Sequence, residues 1–295
     1  MLAPQLVKLS MTVEAGESIL QPTTPSPYSH DVISSLRCLD ISTNDIDAAI
    51  IALQCLPERN ELQSFACTLF DGDESSSAAH RIFDLIASKC KPHTFSELLL
   101  KGCMAARQED RDDYVDISAL FPMSGLKHVE IFLPSTIMEL TPAQVETIPA
   151  AWPQIEELVL NAGSWGSIWT ARPRIDHTHL TTVLRGCSNL RVLGTRFDAT
   201  QIGREQYNQS PAEEEEEEDV EWQCGLEEFL VSDSPILSSS QMAAFLTSHV
   251  PRLRKLYCFH PYLARANAEF FTEYEQHWND VASDLSVSST YADFA

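Results

Sequence analysis

The sequence predicts an α/β solenoid, with short parallel strands forming a curved sheet on the inside and helices on the outside. Three observations carry that class. An apolar unit of the form L-x-x-L recurs along the chain, with its first residue at Leu6, Leu36, Leu62, Phe95, Leu126, Ile155, Leu190, Leu226 and Leu253. The spacing of these anchors averages about 31 residues, near the upper end of leucine-rich repeat periods. Segments with helical periodicity fill the intervals, so strand and helix alternate. Together they give about nine irregular leucine-rich repeats, well above the number a continuous core needs.

The strands come first. Leu36–Ile41, Leu62–Cys67, Phe95–Leu100 and Leu126–Ile131 share one register, with apolar residues alternating with free positions. Alternation of period two puts one side of each strand on a core and the other outward. The stretch from Ala151 to Asn161 shows the whole unit most clearly: a helix-like run from Thr141, then a proline, then Ile155, Leu158 and Leu160.

Helices are expected over 45–56, 78–90, 114–120, 141–150, 179–186 and 239–249. Ile82, Phe83, Leu85 and Ile86 make one apolar face, as do Met242, Phe245, Leu246 and Val250. Thr141-Pro142 with Gln144, and Ser239-Ser240 before Gln241, are start signals. Two connections break the rhythm. Leu20–Ser29 holds three prolines in six residues and reads as an extended loop. The insertion 201–220 carries the acidic run Glu213–Asp219, whose like charges cannot collapse, so it reads as a disordered, solvated loop.

The solenoid is therefore expected to span 1–262, with a capping helix over 263–285 and a flexible tail over 286–295. Phe270, Tyr274, Trp278 and Val281 share one face of that helix, suited to closing the apolar end of the last repeat.

Composition narrows the function. The 295 residues are 44% hydrophobic, as in a folded soluble protein, and no stretch approaches the roughly 20 apolar residues a bilayer crossing needs. A net charge of -23 argues against nucleic-acid backbones and anionic membranes as partners. Eight cysteines form no close C-x-x-C pair, and Cys38, Cys67, Cys90, Cys187 and Cys258 sit at apolar repeat positions. They read as reduced core thiols in an intracellular protein, cytoplasmic or nuclear.

Nothing in the chain reads as catalytic. His177 and His179 have a possible ligand spacing, but only Asp176 stands near them, and a position just before a helix explains them more simply. The cluster Glu109, Asp110, Asp112 and Asp113 lacks the spaced ligands and glycine turn of a calcium loop. No G-x-S-x-G elbow or phosphate-binding loop occurs, and Gly163–Ser167 is only a glycine-containing loop. No cofactor, metal or enzymatic activity is expected.

A binding function remains. The third, fifth and seventh residues of each unit should line the concave side, and they mix aromatics with charges of both signs. Aromatic and arginine anchors within a polar rim are the mark of protein interfaces. Candidate contacts are His128, Phe132, Glu157, Arg196, Lys255, Tyr257 and Phe259, with Trp165 and Trp169 on an adjoining loop. Phe259 and the tryptophans fit equally well packed beneath the C-terminal helix or the loops. The expected partner is a protein, and the acidic surface suits one with a basic patch.

The residues Ala151–Leu160, Arg185–Leu193 and Val250–Leu256, with Glu273–Val281 near the end, resemble the leucine-rich repeat region of fungal F-box proteins, most closely those of basidiomycetes. Cys187 before Leu190 is similar to the cysteine-containing repeats of that family. The resemblance implies a substrate-recognition role in a cullin ubiquitin ligase, with the F-box docking on the ligase adaptor and the repeats holding the substrate. The F-box itself is not in this chain, which starts inside a repeat, so adaptor binding is expected only with an upstream F-box. A free-standing repeat scaffold, unrelated to ubiquitin transfer, is the alternative.

Overall fold

A strand that hides one face and shows the other must be covered on the hidden side, and here buried side chains of strands and helices together make the core. The computed structural model describes residues 6–13, 35–70, 75–102, 114–133, 136, 138–160, 172–202, 224–231, 234–257 and 272–289. They fall into two compact units, 1–138 and 139–295.

In the first unit, strands β1 (Lys8–Val13), β2 (Cys38–Thr43), β3 (Ser64–Leu69), β4 (Glu97–Lys101) and β5 (His128–Phe132) pair in parallel, each with the next along the chain. Helices α1 (Ile46–Gln54) and α2 (Ser76–Lys89) pack against each other between these strands. Burial alternates strictly in β2 and β3, so Leu39, Ile41, Phe65, Cys67 and Leu69 are buried while their neighbours are half-buried. Each helix starts where a side chain can accept an orphan backbone N–H: Asp45 from Asp47, and Ser75 from Ala78.

The helix expected over 114–120 is only a single 3₁₀ turn, Ser118–Leu120. Asp116 bends the chain by accepting from the Ser118 N–H, and its own N–H donates to His80 Nε2 at 2.7 Å. Pro122 lies two residues past Leu120, leaving no room for a second turn.

The second unit repeats the plan with β6 (Glu157–Leu160), β7 (Val192–Gly194), β8 (Glu228–Leu230), β9 (Lys255–Tyr257) and β10 (Ser288–Ser289), all parallel. Helices α3 (Pro142–Ala151), α4 (His177–Gly186), α5 (Ser239–His249) and α6 (Thr272–Asp284) complete it. Thr141 and Gln144 form the expected capping box, and Asp176 with His179 forms another. Alpha-3 carries Pro149 inside its last turns, and α4 ends at Gly186 against that ring. A Cβ on Gly186 would stand 2.5 Å from Pro149 Cβ and Cγ, so only glycine lets the two helices approach this closely.

Helix α6 docks through Trp278, whose ring meets Phe197 edge-on at 6.1 Å and whose Nε1 donates to the Ser234 carbonyl at 2.9 Å. Phe197 in turn stacks on Phe229 at 5.7 Å. Val281 and Ala282 are buried beside Trp278, but Tyr274, expected on the same face, is 39% exposed. The buried stripe thus runs through 278, 281 and 282 and leaves Tyr274 one turn away at its margin. The segment expected to be a free tail also differs: Ser288–Ser289 pair with Lys255 and Leu256 of β9. The extended loop at 20–29, most of the acidic insertion and residues 263–271 and 290–295 lie outside the described residues.

Among the described residues, no helix is long and apolar enough to cross a membrane. The described cysteines are unpaired; burial pushes the thiols of Cys67, Cys90 and Cys187 up to about 12, and that of Cys224 in the same direction. Four core positions thus hold neutral thiols that pack as small hydrophobes.

Candidate protein-binding face

The alternation that buries one side of each strand presents the other as an ordered grid, because parallel register stacks equivalent residues side by side. In the first unit the rows are Lys8, Cys38, Ser64, Glu97, His128; then Ser10, Asp40, Ala66, Leu99, Glu130; then Thr12, Ser42, Thr68, Lys101, Phe132. The middle of this grid is small and polar. Ser10 Oγ donates to Asp40 at 3.1 Å, and Lys101 Nζ reaches Glu130 at 3.1 Å. His128 and Phe132 stand half-exposed at the two ends of β5, as their spacing predicts.

At the foot of the grid, Glu61 takes Lys91 at 2.6 Å and also pairs with Arg37. The hydrogen bond from Lys91 and the charges of Lys91 and Arg37 hold its carboxyl below the usual range.

In the second unit the rows are Glu157, Val192, Glu228, Lys255 and then Val159, Gly194, Leu230, Tyr257. Here the alternation fails: β6, β7 and β8 bury their third residue as well as the core-facing one. Val159 is 8% and Leu230 4% exposed, and half-buried Val192 and Tyr257 pack against them. An apolar floor therefore lies on the side of the strands turned away from the main core.

Polar groups edge this floor. Glu228 accepts from Lys255 Nζ at 2.7 Å with one oxygen and from the Tyr257 hydroxyl at 3.0 Å with the other. The hydrogen bonds with Glu228 and Tyr257 keep the Lys255 ammonium charged to higher pH than usual. Burial first, then the bond to Glu228, raises the Tyr257 phenol. Both ends of Tyr257 are thus held, the ring against the apolar cluster that contains Leu230 and the hydroxyl on Glu228, so its orientation is set in advance.

Arg196 is placed elsewhere than the open grid. It follows β7 in a run, 193–199, that is buried throughout. Its side chain is 7% exposed, and Nη1 meets Glu139 Oε1 at 2.7 Å, with the Glu139 side chain 4% exposed. Arg174 approaches the same carboxylate at 3.8 Å. The sequence reading of Arg196 as an accessible contact is therefore corrected: the guanidinium is the partner of a buried carboxylate. Glu139 gave no signal in sequence, because it precedes the helix cap Thr141 outside any repeat position.

Of the remaining candidates, Glu157, Lys255 and Tyr257 share the second unit's face, while His128 and Phe132 belong to the first. Phe259, Trp165 and Trp169 lie outside the described residues, as does the cluster 109–113. Glu228, which sequence reasoning placed on the face without selecting it, is the group that binds both Lys255 and Tyr257. Its signal was available: in the repeat register it stands directly beside Lys255.

The histidine pair is divided between two structural tasks. His179 Nδ1 lies 2.7 Å from Asp176, within the capping box, and His177 is buried with its ring edge-on to Phe245 at 6.0 Å. Burial raises Asp176, but hydrogen bonds from Thr178 and His179 outweigh it and bring the carboxyl down to about 2. Among the described residues, no three His, Cys, Asp or Glu side chains are grouped as metal ligands.

A scan of the sequence against protein-family models matches none, and a search of the curated proteins finds no significant similarity.

Proposed function

We propose that the chain is a non-catalytic protein-binding module of leucine-rich repeats, and that it forms the substrate-recognition part of an F-box-type ubiquitin ligase receptor. One observation carries the binding reading: on the second unit's sheet face, an oriented aromatic residue, Tyr257, stands over an apolar floor edged by Glu157, Glu228 and Lys255. An aromatic anchor on a dry centre with a charged rim is the composition of interface hot spots, and fixing its rotamer beforehand lowers the entropy lost on binding. The resemblance of the repeat segments to fungal F-box proteins supports the ligase part. Four buried neutral thiols fit work in a reducing compartment, cytoplasm or nucleus.

Affinity capture from cells of the source, with a bait that includes any sequence encoded upstream of Met1, followed by mass spectrometry, tests both parts. Recovery of a cullin adaptor together with a protein whose capture needs Tyr257 is the expected result. Recovery of a Tyr257-dependent protein without cullin machinery leaves the binding module and removes the ligase role, making the chain a free-standing scaffold.

A further inference from the structure

Among the described residues, the first strand of the first unit has one flank without a partner strand, and we propose that this flank is a self-association edge, to which β1 of a second copy of this chain adds in antiparallel register centred on Ser10. Strand β1 pairs on one side with β2, from Lys8 opposite Cys38 to Val13 opposite Thr43. Among the described residues no strand lies on its other side. The consequence shows in burial. Leu39, Ile41 and Thr43 of β2 are buried, whereas Leu9, Met11 and Val13, their register partners, are only half-buried, and Val7 is 52% exposed. Four apolar side chains therefore lack the cover that the next strand enjoys.

Backbone phase says which groups await a partner. The Val7 carbonyl accepts from the Cys38 N–H at 3.1 Å, so residues 7, 9, 11 and 13 direct their polar groups toward β2. By alternation, the N–H and C=O of Lys8, Ser10 and Thr12 point to the open side. An edge of this length, without proline and with one charge, is a template for strand addition.

The pattern of the strand selects the occupant. Residues 7–13 read V-K-L-S-M-T-V, apolar at 7, 9, 11 and 13 and polar at 8, 10 and 12, symmetric about Ser10. With Ser10 opposite its own copy, Val7 faces Val13, Leu9 faces Met11 and Lys8 faces Thr12 across the two-fold axis. Every open backbone group of 8, 10 and 12 then finds a reciprocal partner, apolar side chains meet only apolar ones, and the two lysines stand apart. A shift by one residue would set apolar against polar along the whole strand. One strand pair is small against the roughly 1,200–2,000 Å² of stable complexes, so the dimer is weak and reversible.

Sedimentation velocity of the full chain from about 1 to about 500 μM is expected to show a reversible monomer–dimer equilibrium. The register is tested by cross-linking. Directly opposed Cα atoms in a hydrogen-bonded antiparallel pair lie about 5.5 Å apart, within disulfide reach, so Ser10→Cys should cross-link to itself under mild oxidation. Thr12→Cys, which faces Lys8, should cross-link at least about tenfold more slowly. The unsubstituted chain treated alike accounts for exposed Cys55. Leu9→Lys added to Ser10→Cys should abolish the cross-link while circular dichroism stays unchanged. A monomer at every concentration, or equal rates for the two cysteine variants, would overturn the proposal.

Discussion

The two units use one strand–helix plan and finish its free face in opposite ways. In the first, every second residue of β2 to β5 is half-exposed, and the grid is small and polar around Ser42, Ser64, Ala66 and Thr68. In the second, Val159 and Leu230 are buried on that same side, and the buried run continues past β7 to a sequestered Arg196–Glu139 pair. The difference teaches that repeat register decides which way a side chain leaves the strand, while the neighbouring columns decide whether it meets water. Gly194 shows this plainly: it sits between Val159 and Leu230 and offers no side chain of its own to separate them.

The sharpest way to break the comparison is to remove the buried charge. Arg196→Ala leaves Glu139 buried without its closest cation and should lower the stability of the second unit by about 3–5 kcal/mol, read by urea unfolding. Replacing both residues by apolar side chains of similar size should recover most of that loss. The first unit's counterpart, Lys101→Ala, breaks a half-exposed pair with Glu130 and should change stability by less than about 1 kcal/mol.

Next in size is the helix side. Gly186→Ala puts a methyl group into the Pro149 ring and should destabilise by about 1–3 kcal/mol. Gly125→Ala in the first unit meets backbone instead, 2.7 Å from the His93 carbonyl oxygen, so its loss should be at least as large.

The smallest expected effect is the pH dependence of the α4 cap in the second unit. The folded Asp176 carboxyl lies near 2, below its ordinary value of 3.8, so the α4 cap contributes stability above about pH 4 and loses it as pH falls toward 2. Asp176→Asn should flatten the acid limb of the stability curve in that window; an unchanged limb would remove the cap from the account.

Much of the fold was legible because period-two burial and period-3.6 burial leave different traces in sequence. The anchors from Leu6 to Leu253 precede the strands by a constant offset, and the helices start at caps such as Asp45, Thr141 and Asp176, whose side chains reveal them. What escaped was decided by contacts between distant segments. Nothing local to Arg196 announces Glu139, 57 residues earlier, and nothing local to Tyr274 shows that the buried stripe of α6 runs through Ala282 instead. Gly186 reads as an ordinary helix end until Pro149 is seen against it. Strand pairing at Ser288–Ser289 rests on backbone bonds and on the Ser288 hydroxyl donating to the Arg254 carbonyl, which a polar serine pair does not advertise.

The measurement that bears most directly on the binding face is quantitative capture with three baits: the unsubstituted chain, Tyr257→Ala and His128→Ala, each checked for an unchanged melting temperature. The account predicts that a protein enriched by the unsubstituted chain is lost with Tyr257→Ala and largely kept with His128→Ala, since the oriented aromatic and its apolar floor belong to the second unit. Equal enrichment by the unsubstituted and Tyr257→Ala chains, with both folded, would contradict it.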